Sequence, residues 1–214
     1  MEIIVSPTRK PEVNLAAEKT LVTERHDDVL FLYINTPSVI VGRNQLPEAE
    51  ADLDYCFLHG IPVLKRLSGG GTVYHDEGNI NYAFVGGAEK GSALDRDFLT
   101  PVIDALASFG ITATAGKRKE LLVDGKKISG TAAHVTRGRQ LFHGTLLYDT
   151  DLERMHHALN GNKALRGKHV ASVPSQVTNL LPYMAEKITP EEFLRRLAGF
   201  FERYYRGSAF NPIR

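Results

Sequence analysis

The chain has 214 residues, is 43% hydrophobic and sets 26 Lys+Arg against 25 Asp+Glu, for a formal net charge of +1. That length suits one compact domain over 1–214 with a sizeable core, and the balanced charge gives no overall field to draw it to nucleic acid or a membrane surface. Cys56 is the only cysteine, which excludes an internal disulfide and a multi-cysteine zinc site, and no apolar run approaches the ~20 residues needed to span a bilayer.

The opening MEIIVSPTRKPE lacks a basic stretch followed by a long apolar run, so no signal peptide is expected and the cytoplasm is the expected location. Asn14 can cap a helix over LAAEKTLV, with Leu15 and Val22 on one face. VLFLYI at 29–34 reads as a buried strand, and 38–41 as another, closed by Gly42. Pro47 opens a helix that Gly60 ends, with Leu53, Cys56 and Phe57 on its apolar face. A strand over 61–64 runs into SGGG, and 79–85 alternates Ile80, Tyr82 and Phe84 against Asn79, Asn81 and Ala83. Thr100-Pro101 opens a helix carrying Val102, Leu106 and Phe109, stopped by Gly110. Asp124-Gly125 joins strands 121–123 and 126–129 as a two-residue hairpin turn. A strand at 141–147 precedes a helix with Leu152, Met155 and Leu159. Residues 161–182 read as a long loop of the kind that is functional or mobile. Thr189, Pro190 and Glu192 form a capping box for a last helix with Phe193, Leu197, Phe200 and Tyr204 in a stripe. No spacer or repeat interrupts this order, and the expected fold class is α+β, a mixed sheet covered by helices.

Chemistry concentrates in KRLSGGGTVYHDEGNIN at 65–81. Three glycines without Cβ atoms let the backbone approach a ligand and aim N–H groups at anionic oxygens. A glycine triplet alone is better read as a turn. Flanked by Arg66, Ser68, Tyr74, His75, Asp76 and Asn79, it becomes a candidate anion site, although no Walker GK[ST] follows. The hairpin LLVDGKKISGTA puts Lys127 on the opposite strand face from Ile128, toward a possible ligand; a random Lys-Lys pair would be solvated. His143 sits in the apolar strand LFHGTLL beside Gly144, a setting more typical of a core histidine than of a catalyst. Lys163, Arg166, Lys168 and His169 form a modest positive cluster in the long loop.

Together NLAAEK, VLFLYINTPSVIVGRNQ, KRLSGGGTVYHDEGNINYAF, DGKKISGTA, FHGTLL and SVPSQVTNL resemble the lipoate–protein ligase A family, within the biotin/lipoate ligase superfamily of class II synthetase-like catalytic domains. Biotin ligases carry G-R-G-R-x-G instead, which is absent. The resemblance implies ATP-dependent activation of lipoate or octanoate to an acyl-adenylate, with Mg²⁺ neutralising the leaving pyrophosphate, and transfer to a carrier lysine. The implied carriers are lipoyl domains of 2-oxoacid dehydrogenase E2 subunits or the glycine cleavage H protein. It maps the loop that brackets lipoyl and adenylate groups onto Arg66, Ser68, Gly69, Gly70, Gly71, Val73 and Tyr74. The lysine that holds carboxylate and α-phosphate maps onto Lys127, and the histidines near the acyl pocket onto His75 and His143. The matching runs add Asp76, Asn79, Ser129, Gly130 and Gly144 as substrate-binding positions, and Glu120, which keeps a carboxylate before the hairpin strand, is added to them. No resident protein-bound metal is implied.

Two departures stand out. The family usually has Asn-Asp before the strand entering the hairpin, where this chain has Lys119-Glu120. Many family members also carry a further accessory domain, so a separate partner protein supplying it, or a subclass working without it, is expected. A cysteine-dependent octanoyl or lipoyl transferase of the same fold needs a nucleophilic cysteine just before the hairpin, and TATAGKRKELLV has none. A transfer reaction that needs no cysteine or depends on a partner, and a non-catalytic lipoyl-binding paralogue, are the remaining alternatives.

Overall fold

The computed structural model describes residues 1–87 and 97–207. Strand β1 (Glu2–Val5) leads to helix α1 (Pro11–Glu24), followed by β2 (Val29–Ile34) and β3 (Ser38–Val41). Two short helices, α2 (Pro47–Glu50) and α3 (Leu53–Leu58), precede β4 (Val63–Lys65), β5 (Val73–His75) and β6 (Asn79–Gly87). After α4 (Thr100–Ser108) come β7 (Thr114–Ala115), β8 (Leu121–Val123), β9 (Lys126–Ser129), β10 (Thr131–Thr136) and β11 (Arg139–Leu147), then α5 (Leu152–Ala158) and α6 (Pro190–Gly207).

Five strands form the main sheet in the order β1-β2-β6-β11-β10. β1 and β2 run parallel and the other pairs antiparallel, so the sheet is mixed. Smaller sheets, β4-β3-β5 and β7-β8-β9, flank it. VLFLYI is apolar throughout because both faces of β2 are covered. On one face Leu30, Leu32, Ile80, Tyr82 and Phe84 meet Val102 and Leu106 of α4 and Phe193, Leu197 and Phe201 of α6. On the other, Phe31, Tyr33, Ala83 and Val85 meet Val22 of α1. Each such fully buried large side chain contributes about 1.5–3 kcal/mol of transfer free energy. The architecture is the expected α+β class.

Several local readings are corrected. Helix α1 starts at Pro11, whose fixed φ suits the first helical position, and Lys10 holds the cap without a side-chain bond. Asn14 is inside the helix, where its amide donates to Thr8 O at 3.1 Å and Asn35 Oδ1 at 2.8 Å. The helix expected from Pro47 to Gly60 is broken, because the Asp52 carboxylate accepts from Tyr55 N at 2.9 Å and caps a new helix. Of its supposed apolar face only Cys56 is buried; Phe57 is 86% exposed. Thr189 Oγ1 does cap Glu192 N, yet the Glu192 carboxylate turns to Arg195 and Arg196, leaving half of a capping box. Phe201, rather than Phe200 or Tyr204, fills the buried stripe.

β1, β5, β7 and β10 were not foreseen. β10 is a partly exposed edge strand with little apolar signal, joined to β11 through Arg137 and Gly138 at φ of 47° and 75°. Those angles are the primed hairpin turn that Asp124-Gly125 also adopts, with φ of 49° and 72°. Lys119 also stands at a positive φ, 61°, where a β-carbon is crowded and Asn is better tolerated. This backbone demand alone would favour the Asn that the family resemblance leads one to expect there. Lys119→Asn should therefore raise the unfolding free energy by about 0.5 kcal/mol in urea titration. A clear loss of stability would mean that the lysine side chain outweighs the backbone cost.

Candidate active site

A cavity of about 310 Å³ opens where the glycine loop, the β8–β9 hairpin and residues 170–173 meet the α1 face of the main sheet. Such a volume lies in the range of small-molecule sites. Its floor comes from register: Tyr33, Asn81 and Thr145 are neighbours across β2, β6 and β11. Leu15, Ile40 and Val73 add apolar surface, and Arg118, Glu120 and Lys127 add charge from the hairpin side.

Of the residues singled out from sequence, Arg66, Gly70, Gly71, Val73, His75, Glu120, Lys127, Gly130, His143 and Gly144 line this cavity. Six stand behind the wall. Ser68 and Gly69 are bonded into the loop. Tyr74 is buried among Val39, Val41 and Cys56. Asp76 accepts from Gly78 N at 3.0 Å and Asp151 N at 2.8 Å, which fixes a turn. Asn79 donates to Asn81 Oδ1, and Ser129 pairs with Tyr82 Oη at 3.1 Å.

Arg66, expected beside the anion site as a cation for a ligand, gives most of its hydrogen bonds to the loop itself. Its Nη2 donates to Gly69 O at 2.5 Å and Gly71 O at 2.7 Å, Nη1 donates to Ile40 O, and Nε donates to Ser68 Oγ at 2.9 Å. The guanidinium therefore shapes the glycine loop, while its charge still faces the cavity. Burial lowers its pKa to about 10, against the raising influence of Glu18 and Tyr33, so it stays charged at neutral pH. Gly70 lies under this clamp at φ +83°.

Beyond Arg66 runs a chain of buried polar groups. Ser68 Oγ pairs with His143 Nε2 at 2.7 Å, His143 Nδ1 with Glu18 Oε2 at 2.9 Å, and the Tyr33 hydroxyl donates to Glu18 Oε1 at 3.0 Å. Arginine only donates, so the polarity runs Arg66 to Ser68 to His143 to Glu18. Serine, histidine and carboxylate thus lie in line as in a hydrolase triad. Ser68, however, is fully buried and off the cavity wall, so the chain orients His143 and offers no nucleophile. Glu18 was not singled out, because a glutamate inside a helical run reads as solvated; its sign was its place on the Leu15–Val22 face. Glu18→Ala would strand Tyr33 and His143 together and should cost about 2–4 kcal/mol of stability in denaturant titration. Glu18→Gln, which keeps an acceptor, should cost clearly less; equal losses would argue against the chain.

His75 is held near pKa 3 by burial first and then by Arg66 and His143, so it is neutral at pH 7. Asn35 Nδ2 donates to its Nδ1 at 2.9 Å, which puts the proton on Nε2. Lys127 has its pKa lowered by burial and then by Arg118, with Glu120 opposing. Its backbone is gripped twice, by β8 and by Gln176 O and Thr178 N. A Cβ on Gly130 would come within 3.2 Å of the Lys127 ammonium, so this glycine makes room for it.

The loop expected at 161–182 is a strap. A 3-10 turn at Lys163–Leu165 starts it, Val170–Val173 cover the cavity, Val177 bridges to Lys127, and Leu180 is fully buried. Cys56 is away from the wall, in the α3–α5 cluster, with its thiol pushed up to about 11 by burial and Asp52. No helix among the described residues is long and apolar enough to cross a membrane.

The chain as a whole is similar to several known proteins. The lipoate–protein ligase LplJ of Bacillus subtilis is 39% identical over 191 residues, covering 87% of this chain and 58% of that protein. The chain thus spans less than two thirds of the length of this curated relative. A bi-partite lipoate protein ligase solved with its E2 lipoyl domain, from Thermoplasma acidophilum, superposes at TM-score 0.78 with 25% identity, over 96% of this chain and 83% of that one. A lipoate-protein ligase A bound with ATP superposes at TM-score 0.75 with 25% identity, over 96% and 86% of the two chains. The lipoyl protein ligase A/B catalytic domain family matches residues 10–202, and the chain belongs to that family.

Proposed function

We propose that this cavity binds lipoate or octanoate together with ATP, joins them as an acyl-adenylate, and passes the acyl group to a carrier lysine. The observation that carries the reading is Lys127: a half-buried ammonium, on a doubly held backbone, facing a cavity that it shares with the loop-bound Arg66 guanidinium, the Arg118–Glu120 pair and an apolar stretch of wall. Leu15, Ile40, Val73 and the Tyr33 ring suit an aliphatic acyl chain, and the glycine-loop backbone suits anionic oxygens. Bringing a carboxylate against an α-phosphate joins two anions, and a cation between them offsets their repulsion. The carboxylate oxygen attacks phosphorus, pyrophosphate leaves, and the carrier amine then attacks the acyl carbonyl, releasing AMP. Each step needs positioning and charge, and no protein nucleophile. Cysteine-dependent transfer has no cysteine on the described cavity wall to work with.

Mg²⁺ fits as a companion of the nucleotide. Glu120 is the one carboxylate on the described wall, and no group of three or more His, Cys, Asp or Glu among the described residues could hold a metal alone. Such an ion would be held chiefly by phosphate oxygens, with Glu120 as the protein's contribution, and would neutralise the departing pyrophosphate. The carriers that suit a lipoyl product are the lipoyl domains of 2-oxoacid dehydrogenase E2 subunits or the glycine cleavage H protein, met in an ATP-rich cytoplasm. A similar ligase solved with its E2 lipoyl domain supports the lipoyl-domain part of this reading. ATP–pyrophosphate exchange measured with and without lipoate tests the adenylation step. Exchange that appears only with lipoate is the expected result; its absence from the folded chain with both substrates present would reject adenylation.

A further inference from the structure

One more carboxylate is buried outside the cavity wall and has no part in the chemistry above. Glu50, at the end of α2, is 4% exposed. Its Oε1 accepts from Arg166 Nε at 2.9 Å and its Oε2 from Ser172 N at 3.1 Å, so one carboxylate grips the strap at two points six residues apart. Ser172 carries the link onward. Its Oγ accepts from Thr72 N of the glycine-loop segment at 2.9 Å and from Gln45 Nε2 at 3.0 Å. Gln45 in turn donates to Val170 O and accepts from Thr72 Oγ1, and Val170 N donates to Asn44 O. By contrast the apolar side chains Leu165, Val170 and Val173 of the strap are half exposed. Polar contacts, and Glu50 above all, hold this stretch in place.

We propose that Glu50 is a positioning residue that latches the strap shut over the cavity and, through Ser172, fixes the strap to the glycine loop. A charged acceptor holds both donors at once, whereas a neutral amide oxygen holds one well, so the charge is what makes the grip double. With the strap closed, Val170–Val173 roof the cavity. A mixed anhydride beneath them is then kept from water and from escape until an amine arrives. That catalytic consequence rests on the function proposed above; the latch itself does not.

Limited trypsin digestion tests the latch directly, because Lys163, Arg166 and Lys168 are cleavage sites within the strap. Cleavage of a folded protein follows the population of the locally opened form. Glu50→Gln should speed cleavage at Lys163 and Lys168 about tenfold while the thermal midpoint stays within a few degrees. Arg166→Met cuts the same link from the strap side and should do likewise. The double variant should be cleaved no faster than the faster single one, since the two share one contact. If Glu50→Gln does not fold, Arg166→Met decides alone. Unchanged strap cleavage, or fully additive effects, would overturn the latch. In the reaction arm, supplied with lipoate and ATP, both variants should release a larger share of acyl-adenylate into solution per acyl group transferred. Faster strap cleavage with an unchanged share would overturn the catalytic part and leave the latch standing. No adenylate from the unaltered chain would count against the proposed function, and the digestion would still judge the latch.

Discussion

Lys127→Ala should lower acyl-adenylate formation by at least a hundredfold and leave the fold intact. A well-placed cation between reacting anions contributes on the order of 3 kcal/mol to a transition state, roughly a hundredfold in rate. The neighbouring Lys126 supplies the control. It lies on the same strand, paired with Val123 of β8, but is absent from the described cavity wall, so Lys126→Ala should be nearly silent. Comparable losses in a single-turnover assay would remove Lys127 from its role. The pH profile adds a sign. Burial and Arg118 lower the Lys127 pKa, so its ammonium is lost at a lower pH than that of a free lysine. Adenylate formation should therefore fall on the alkaline side earlier than an ordinary lysine would dictate. Glu120 acts in the opposite direction, so Glu120→Gln should move that limb to still lower pH.

Gly70→Val should abolish binding of a lipoyl-adenylate analogue. At φ +83° a branched side chain is strained whatever the space, and its Cβ would sit 3.1 Å from Arg66 Nη2 and 3.3 Å from Ala132 Cβ. The substitution would thus strain the loop at the point where Arg66 gathers its carbonyls and would intrude on the ligand space. Calorimetric titration of the folded variant reads the effect, with a loss of about 3 kcal/mol or more in binding free energy expected from a mispositioned anion site. Affinity like that of the unaltered chain would mean that the loop is only a turn.

The regular elements were legible where local chemistry and tertiary burial agree. VLFLYI is a two-sided core strand and reads as one. Asp124-Gly125 demands positive φ and receives it. Pro101 and Gly110 bracket α4 as expected. The failures are equally physical. Asp52 looked like an interior helix residue, but its carboxylate was a better partner for a free backbone N–H than for solvent, and it split one helix into two. Thr131–Thr136 lacked an apolar alternation because an edge strand facing solvent needs none.

At the site, spacing could mark the glycine loop as a candidate anion site and put Lys127 on the face of β9 opposite Ile128, while joining the two in one site was implied only by the family resemblance. What a linear reading could not supply was partnership. Arg66 looked like a ligand cation because its loop carbonyl partners emerge only when the chain turns back on itself. Glu18 is 125 residues from His143, and Glu50 is 116 from Arg166. Neither distance leaves a mark on local composition.

The central claim is that this cavity carries an activated acyl group to a carrier lysine. It is tested most directly by mixing the purified chain with an isolated lipoyl domain and following the mass of that domain. One reaction starts from lipoate plus Mg-ATP and a second from preformed lipoyl-adenylate. The predicted result is acylation of a single lysine from the preformed adenylate, and acylation from lipoate only when ATP is present. No acylation from either start, with the chain folded, or acylation from lipoate without ATP, would contradict the account.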